Sequence, residues 1–279
     1  MHLFRKIFLH LFLVTIQSIQ AYGNYFDSLE TNEQLLLLDS VCNSFNIKEC
    51  CDTTLGTCLT LKPECSIAHR MYNFVSWLIL KNDPFEKCMN QLNKRYISFF
   101  GPDTFSLKPA VLPSAGNPAS PITVTVYISA SCPLCKKVCI PLYMAVSKDG
   151  PLYQRARLVL KPFTTRAGDL ALMAANAQGE FWKFYLSLEN EHRRLDTRIL
   201  MQKAKKLALD LELFEKHIYE QTFAKELMEI RNEAVTNGVT ISPTLFINNR
   251  RYQSYKDPQW VIDAVDYEYF EHIQKVKKK

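Results

Sequence analysis

The sequence predicts an α/β domain preceded by a smaller, mostly helical, cysteine-rich one, and three observations carry that reading. Residues 122–160 run as a β-branched strand, a helix and a second strand. Residues 166–237 keep helical spacing almost throughout, and residues 244–274 return to two short strands and a helix. Upstream, residues 24–100 hold six of the chain's nine cysteines on long helical runs with few turn signals.

The N-terminus has the order of an export signal. Arg5 and Lys6 precede a mainly apolar run, residues 7–16, that contains His10, and a polar then small segment ends near Ala21 or Gly23. Residues 1–23 therefore read as a signal peptide, with an uncleaved anchor as the rival. Either way the remainder is expected outside the cytoplasm, periplasmic or secreted, where disulfides persist. Apolar residues make up 47% of the 279-residue chain and charged residues 22%, which marks a globular protein with enough chain for a real core. The net charge of +6 is modest and partly sits in the basic tail, residues 275–279, so no nucleic-acid partner is expected. After residue 25 no apolar stretch reaches the roughly 20 residues a bilayer span requires.

Residues 24–100 contain Cys42, Cys50, Cys51, Cys58, Cys65 and Cys88. Two helical runs, residues 29–45 and 66–82, are followed by Asp83-Pro84 and a third helix, residues 85–100. Three structural disulfides are the expectation here, and a redox relay is the alternative; nine is odd, so at least one thiol has no partner within the chain. Residues 101–121 hold five prolines and two glycines, which reads as an extended linker between the domains.

The second domain spans residues 122–274. Ile122, Val124, Val126 and Ile128 alternate with Thr123, Thr125, Tyr127 and Ser129, as in a strand. A helix is predicted from Cys132 to about Val146, stopped by Asp149-Gly150-Pro151 and kinked at Pro141. Residues 155–160 form a second strand, and the helical stretch after it should break near Asn190 and Leu211. Residues 244–247 and 250–253 form a hairpin about Asn248-Asn249, since asparagine tolerates positive φ. Pro258 sits in the first turn of a last helix.

The chemistry lies in SASCPLCKKVC, residues 129–139. With a strand ending at Ser129 and a helix starting at Cys132, the Cys132 sulfur meets the unpaired N–H groups and positive dipole end of that helix. Pro133 loses nothing there, because its N–H would be orphaned in any case. A thiol so placed can fall from a pKa of about 8.5 to between 3.5 and 7 and attack disulfides at neutral pH. Cys135, one turn on, can close a ring with it. So short a ring adds little stability, which suits a reversible pair better than a staple. Cys139 reads as a small core residue. Zinc is disfavoured because His192 and His217 lie far along the chain, and no metal or cofactor is expected.

Three segments, VYISASCPLCKKV, AANAQGEFWKFYLSL and GVTISPTLFINNRRY, together with the roughly 70-residue helical insertion, resemble the DsbA-like branch of the thioredoxin superfamily. That resemblance implies a thioredoxin fold, with Cys132 as attacking thiolate and Cys135 as resolving thiol. It also implies a cis peptide before Pro243, which lies against the pair. Ser242, Pro133, Leu134 and Thr244 would then meet an extended client peptide by β-type pairing and side-chain contact. Pro133-Leu134 lacks the histidine of strongly oxidising members, so a potential between about −120 and −270 mV is expected. Residues 50–80 with 88–100 resemble the small helical thiol-reductase domain of CcmH-type cytochrome c maturation proteins, but adjacent Cys50-Cys51 stand where that family has C-x-x-C.

The function so implied is an exported protein thiol-disulfide oxidoreductase that forms, reduces or isomerises disulfides. Its partners would be cysteine-containing client proteins and a membrane or periplasmic redox partner. A thioredoxin-like binding or assembly module with structural cysteines is the alternative.

Overall fold

The computed structural model describes residues 25–108, 113–191, 195–254 and 257–278. The expected signal peptide, His192, Lys279 and residues 109–112 of the proline-rich stretch lie outside these. The chain divides into two compact units between Ile97 and Ser98.

In the first unit, α1 (Asn32–Ser44) opens on a capping box: Thr31 accepts from the Gln34 N–H while the Gln34 side chain accepts from the Thr31 N–H. A short antiparallel pair, β1 (Asn46–Ile47) and β2 (Thr53–Thr54), leads into α2 (Leu55–Leu61), α3 (Ser66–Leu80) and α4 (Phe85–Phe100). Val41, Leu55, Met71, Val75 and Leu92 are buried between them. Two disulfides close this unit, Cys50–Cys65 and Cys51–Cys58. The expected third is not there. Cys42 and Cys88 are buried thiols on α1 and α4, whose pKa values burial pushes up to about 12 and about 11. They pack as small apolar groups.

The second unit is built on a five-stranded sheet of order β3-β5-β4-β6-β7, from β3 (Ser114–Gly116), β4 (Ile122–Ile128), β5 (Ala156–Pro162), β6 (Thr244–Ile247) and β7 (Arg250–Tyr252). Strands β4 and β5 are parallel, with Val126 opposite Leu160; the other neighbours are antiparallel. The parallel pair is joined by α5 (Pro133–Val146), which contains Pro141. Asn248 and Asn249 both take positive φ, 46° and 66°, at the β6–β7 turn.

Two expectations change here. The stretch read as a linker contributes edge strand β3, paired to β5, and Phe105 packs edge-on against Phe246. Three residues between prolines carry too little pattern to show as a strand. Gly116 is required there: φ is +83°, and a Cβ would lie 2.3 Å from the Ala156 carbonyl oxygen. The long helical stretch is five helices, α6 (Ala167–Ala177), α7 (Phe181–Ser187), α8 (Thr197–Lys206), α9 (Leu211–Tyr219) and α10 (Ala224–Thr236). Breaks beyond the two expected fall at Gly179, with φ +75°, and at Gln221, with φ +51°. Asp196 and Asp210 cap α8 and α9.

Strand β4 is buried on both faces, so its alternation does not separate core from solvent. Val124, Val126 and Ile128 share the face of the sheet covered by α5 and by α11 (Pro258–Lys277). On the other face Tyr127, Val159 and Phe246 pack against Leu170 and Met173 of α6 and Leu227 and Ile230 of α10. Beneath those helices lies an ion pair: Lys161 Nζ is 2.6 Å from Glu233 Oε1, and the two side chains are 2% and 7% exposed. The Tyr127 hydroxyl donates to the same carboxylate at 2.6 Å. Removing one partner strands the other charge in the interior. Glu233→Ala is therefore expected to cost about 3–5 kcal/mol in urea unfolding. The double variant Lys161→Met/Glu233→Leu should cost clearly less.

Candidate active site

The site forms where β4 ends and α5 begins. Cys132 is the N-cap of α5, with extended backbone at φ −85° and ψ 114°, and its Sγ accepts the Cys135 N–H at 3.2 Å. Facing it is the loop before β6. The Ser242–Pro243 peptide is cis, and the Ser242 carbonyl oxygen lies 3.4 Å from Cys132 Sγ. Residues 110 positions apart in sequence thus meet at one sulfur.

Position on the helix separates the two cysteines. Cys132 is half-buried, and its pKa is lowered to about 6: the Cys135 thiol donates to it, backbone N–H groups of Cys135 and Leu134 and the Ser242 side chain add to this, and partial burial opposes. Cys135 is fully buried, and its pKa is raised, by burial first and then by the hydrogen bond it gives to Cys132. One sulfur is therefore a half-buried thiolate at neutral pH and the other a fully buried thiol. Cys139, one turn further, is fully buried with its pKa pushed up to about 12, as a core residue should be.

The other residues singled out by sequence fall around this pair. Pro133 is exposed, Leu134 and Ser242 are half-buried and Pro243 is buried. Thr244 differs from expectation as a client contact. Its side chain is 1% exposed, and its hydroxyl donates to the Ile241 carbonyl at 2.7 Å, bracing the loop that carries Ser242.

Two charged groups escaped the sequence reading. Lys136 is 3% exposed and donates to the Glu191 carbonyl; burial lowers its pKa, against the raising effect of Glu191, Cys132 and Cys135. The signal was its spacing, four residues after Cys132 and so on the same face of the helix, whereas Lys137 is exposed. Asp169 is fully buried on α6, and its carboxylate accepts from the Ala130 N–H at 2.6 Å and from the Thr164 N–H and hydroxyl at 3.1 and 2.5 Å. It fixes the residue that leads from β4 into the cysteine loop. The signal was a lone acid in an otherwise apolar helix, GDLALMAANA.

A family profile described as Thioredoxin matches residues 111–266, more than half of the chain. The chain belongs to the thioredoxin family. Within that family its fold is DsbA-like. Bacillus subtilis BdbD, in its oxidised form, has 19% identity and a TM-score of 0.50, the match covering 60% of this chain and 98% of that one. Wolbachia pipientis alpha-DsbA1 has 19% identity and a TM-score of 0.50, covering 60% and 97%. A curated relative, the Na(+)/H(+) antiporter NhaA 3 of Salinispora tropica, is 28% identical over 145 residues, 49% of this chain. The chain spans only about a fifth of that relative, 22% of its length. Among the described residues no helix is long and apolar enough to cross a membrane.

Two outcomes are expected from this geometry. Alkylation of Cys132 by iodoacetamide should rise with a midpoint near pH 6 and level off above pH 7, where an ordinary thiol of pKa about 8.5 is still rising. Burial holds the Asp169 pKa up at about 6 against 3.8, so the folded state takes up a proton as pH falls through 6 while the unfolded chain does not. Relative to Asp169→Asn, the unaltered chain should gain on the order of 2–3 kcal/mol of stability between pH 7 and pH 4.

Proposed function

We propose that this protein is an exported thiol-disulfide oxidoreductase acting on cysteine-containing client proteins through Cys132 and Cys135. The observation that carries this reading is the pairing of a half-exposed, acidified sulfur with a buried thiol one helical turn away. Cys132 attacks a client disulfide, forming a mixed disulfide and expelling a client thiolate. Cys135 then gives up its proton and displaces the client, leaving the Cys132–Cys135 disulfide. In the oxidising direction the same steps run backwards.

The client is held by the loop opposite the sulfur. Ile241, 56% exposed, stands beside Ser242, and an extended peptide can pair with the Ser242 backbone while its side chains meet Ile241, Pro133 and Leu134. Pro243 is buried in that loop, after the cis peptide. A Cys132 pKa near 6 lies between the values of about 3.5 for DsbA and about 7 for thioredoxin, which supports a potential between theirs. Export is supported by the order of residues 1–23 and by two disulfides in the first unit, which need an oxidising compartment to last. Cation antiport, the activity in the curated relative's name, is not carried over on a 22% share of that protein.

Changing Cys135 to Ser removes the resolving thiol, so client proteins should accumulate as covalent adducts on Cys132. Non-reducing gels should show them, and reductant or Cys132→Ser should abolish them. A pure binding module would give none.

A further inference from the structure

The two disulfides of the first unit are close enough to exchange. The Sγ atoms of Cys51, Cys58 and Cys65 all lie within 4.8 Å of one another, although Cys51–Cys58 and Cys50–Cys65 are separate bonds. Exposure divides the four cysteine residues in a second way. Cys58 is fully buried and Cys65 is 3% exposed, whereas adjacent Cys50 and Cys51 are both half-buried. Each disulfide therefore joins one half-buried cysteine to one buried cysteine, and the sulfurs of the two buried cysteines are neighbours.

We propose that this cluster is a second redox centre, independent of Cys132 and Cys135, that accepts two electrons from an external dithiol and becomes a Cys58–Cys65 disulfide beside an accessible Cys50-Cys51 dithiol. A thiolate of the dithiol attacks Cys51 Sγ, forming a mixed disulfide and expelling the Cys58 thiolate. That thiolate, buried and poorly solvated, has Cys65 Sγ within reach. It attacks, forming Cys58–Cys65 and expelling the Cys50 thiolate, which takes a proton. The second thiol of the reductant then displaces Cys51, which is protonated in turn. The dithiol has lost two electrons and two protons, and Cys50 and Cys51 have gained them.

Entry at Cys50 leads to the same product. It expels Cys65, which attacks Cys58 and releases Cys51. Both routes leave the bond between the two buried sulfurs and the thiols where water can solvate them. Adjacent cysteines seldom bond to each other, so the half-buried pair stays a dithiol. The consequence is a two-electron site whose reduced face presents two neighbouring thiols to a partner.

The test uses the full chain carrying Cys132→Ser and Cys135→Ser, so that failure here leaves the reading of that pair untouched. One equivalent of dithiothreitol is added, exchange is stopped in acid denaturant, and N-ethylmaleimide marks the thiols. Cleavage at Asp52 and after Glu64 separates Cys50-Cys51 from Cys58 and Cys58 from Cys65. The Cys50-Cys51 fragment should gain two maleimides while the Cys58 and Cys65 fragments stay linked. Label on Cys51 and Cys58 with Cys50–Cys65 intact would overturn the proposal. So would label on Cys50 and Cys65 with Cys51–Cys58 intact, or a mixture of unreduced and fully reduced chains with no two-electron species.

Discussion

The hydrogen bond from the Cys135 backbone N–H to the Cys132 sulfur at the start of α5 joins the one from the Cys135 thiol in setting the character of that sulfur. The bond exists because Cys132 is the last non-helical residue before the helix, where backbone donors have no intrahelical acceptor. An anionic sulfur satisfies such a donor better than a neutral thiol does, since hydrogen bonds to charge are roughly twice as strong. Strand β4 delivers the residue to that position, and Asp169 holds Ala130, two residues earlier, by its backbone N–H. The fold's other contribution is to bring Ser242 against the same sulfur from a distant segment.

Cys132 and Cys135 are chemically identical and three residues apart, yet their acidities are driven in opposite directions. Burial outweighs everything else at Cys135, because the one lowering contact there, a backbone hydrogen bond with Ser129, does not compensate for the loss of water around a thiolate. At Cys132 the donors outweigh partial burial. The Cys135 thiol donates to the Cys132 sulfur, so the buried thiol itself stabilises the half-buried thiolate. The same contrast between a half-buried and a fully covered cysteine recurs in the first unit, in each of its two disulfides. There the sulfurs of the two covered cysteines lie together.

Much of the second unit was legible because its signals are local. The strand-loop-helix about residues 122–146, the Asn248-Asn249 turn and the Asp257-Pro258 helix start each depend on a few neighbouring residues. Strand β3 was not legible, since its three residues owe their conformation to pairing with β5 rather than to any preference of their own. The helical insertion showed its period but not all its breaks, because Gln221 takes a positive φ that glutamine does not advertise. Disulfide pairing in the first unit was beyond reach for the same reason: six cysteines allow 15 full pairings, and only proximity chooses.

From the sequence alone came the Cys132 and Cys135 pair and its place at a helix N-terminus, because these rest on residue order and on the geometry of one turn, whereas the proline loop was implied by the family resemblance. Tertiary structure alone decided which of the two sulfurs is hidden, that Thr244 is buried and braces a loop, and that Lys136 and Asp169 lie buried around the site. Those outcomes depend on how much water each group loses when distant segments close over it. Solvent exclusion is a property of the packed whole, and no short stretch of residues encodes it.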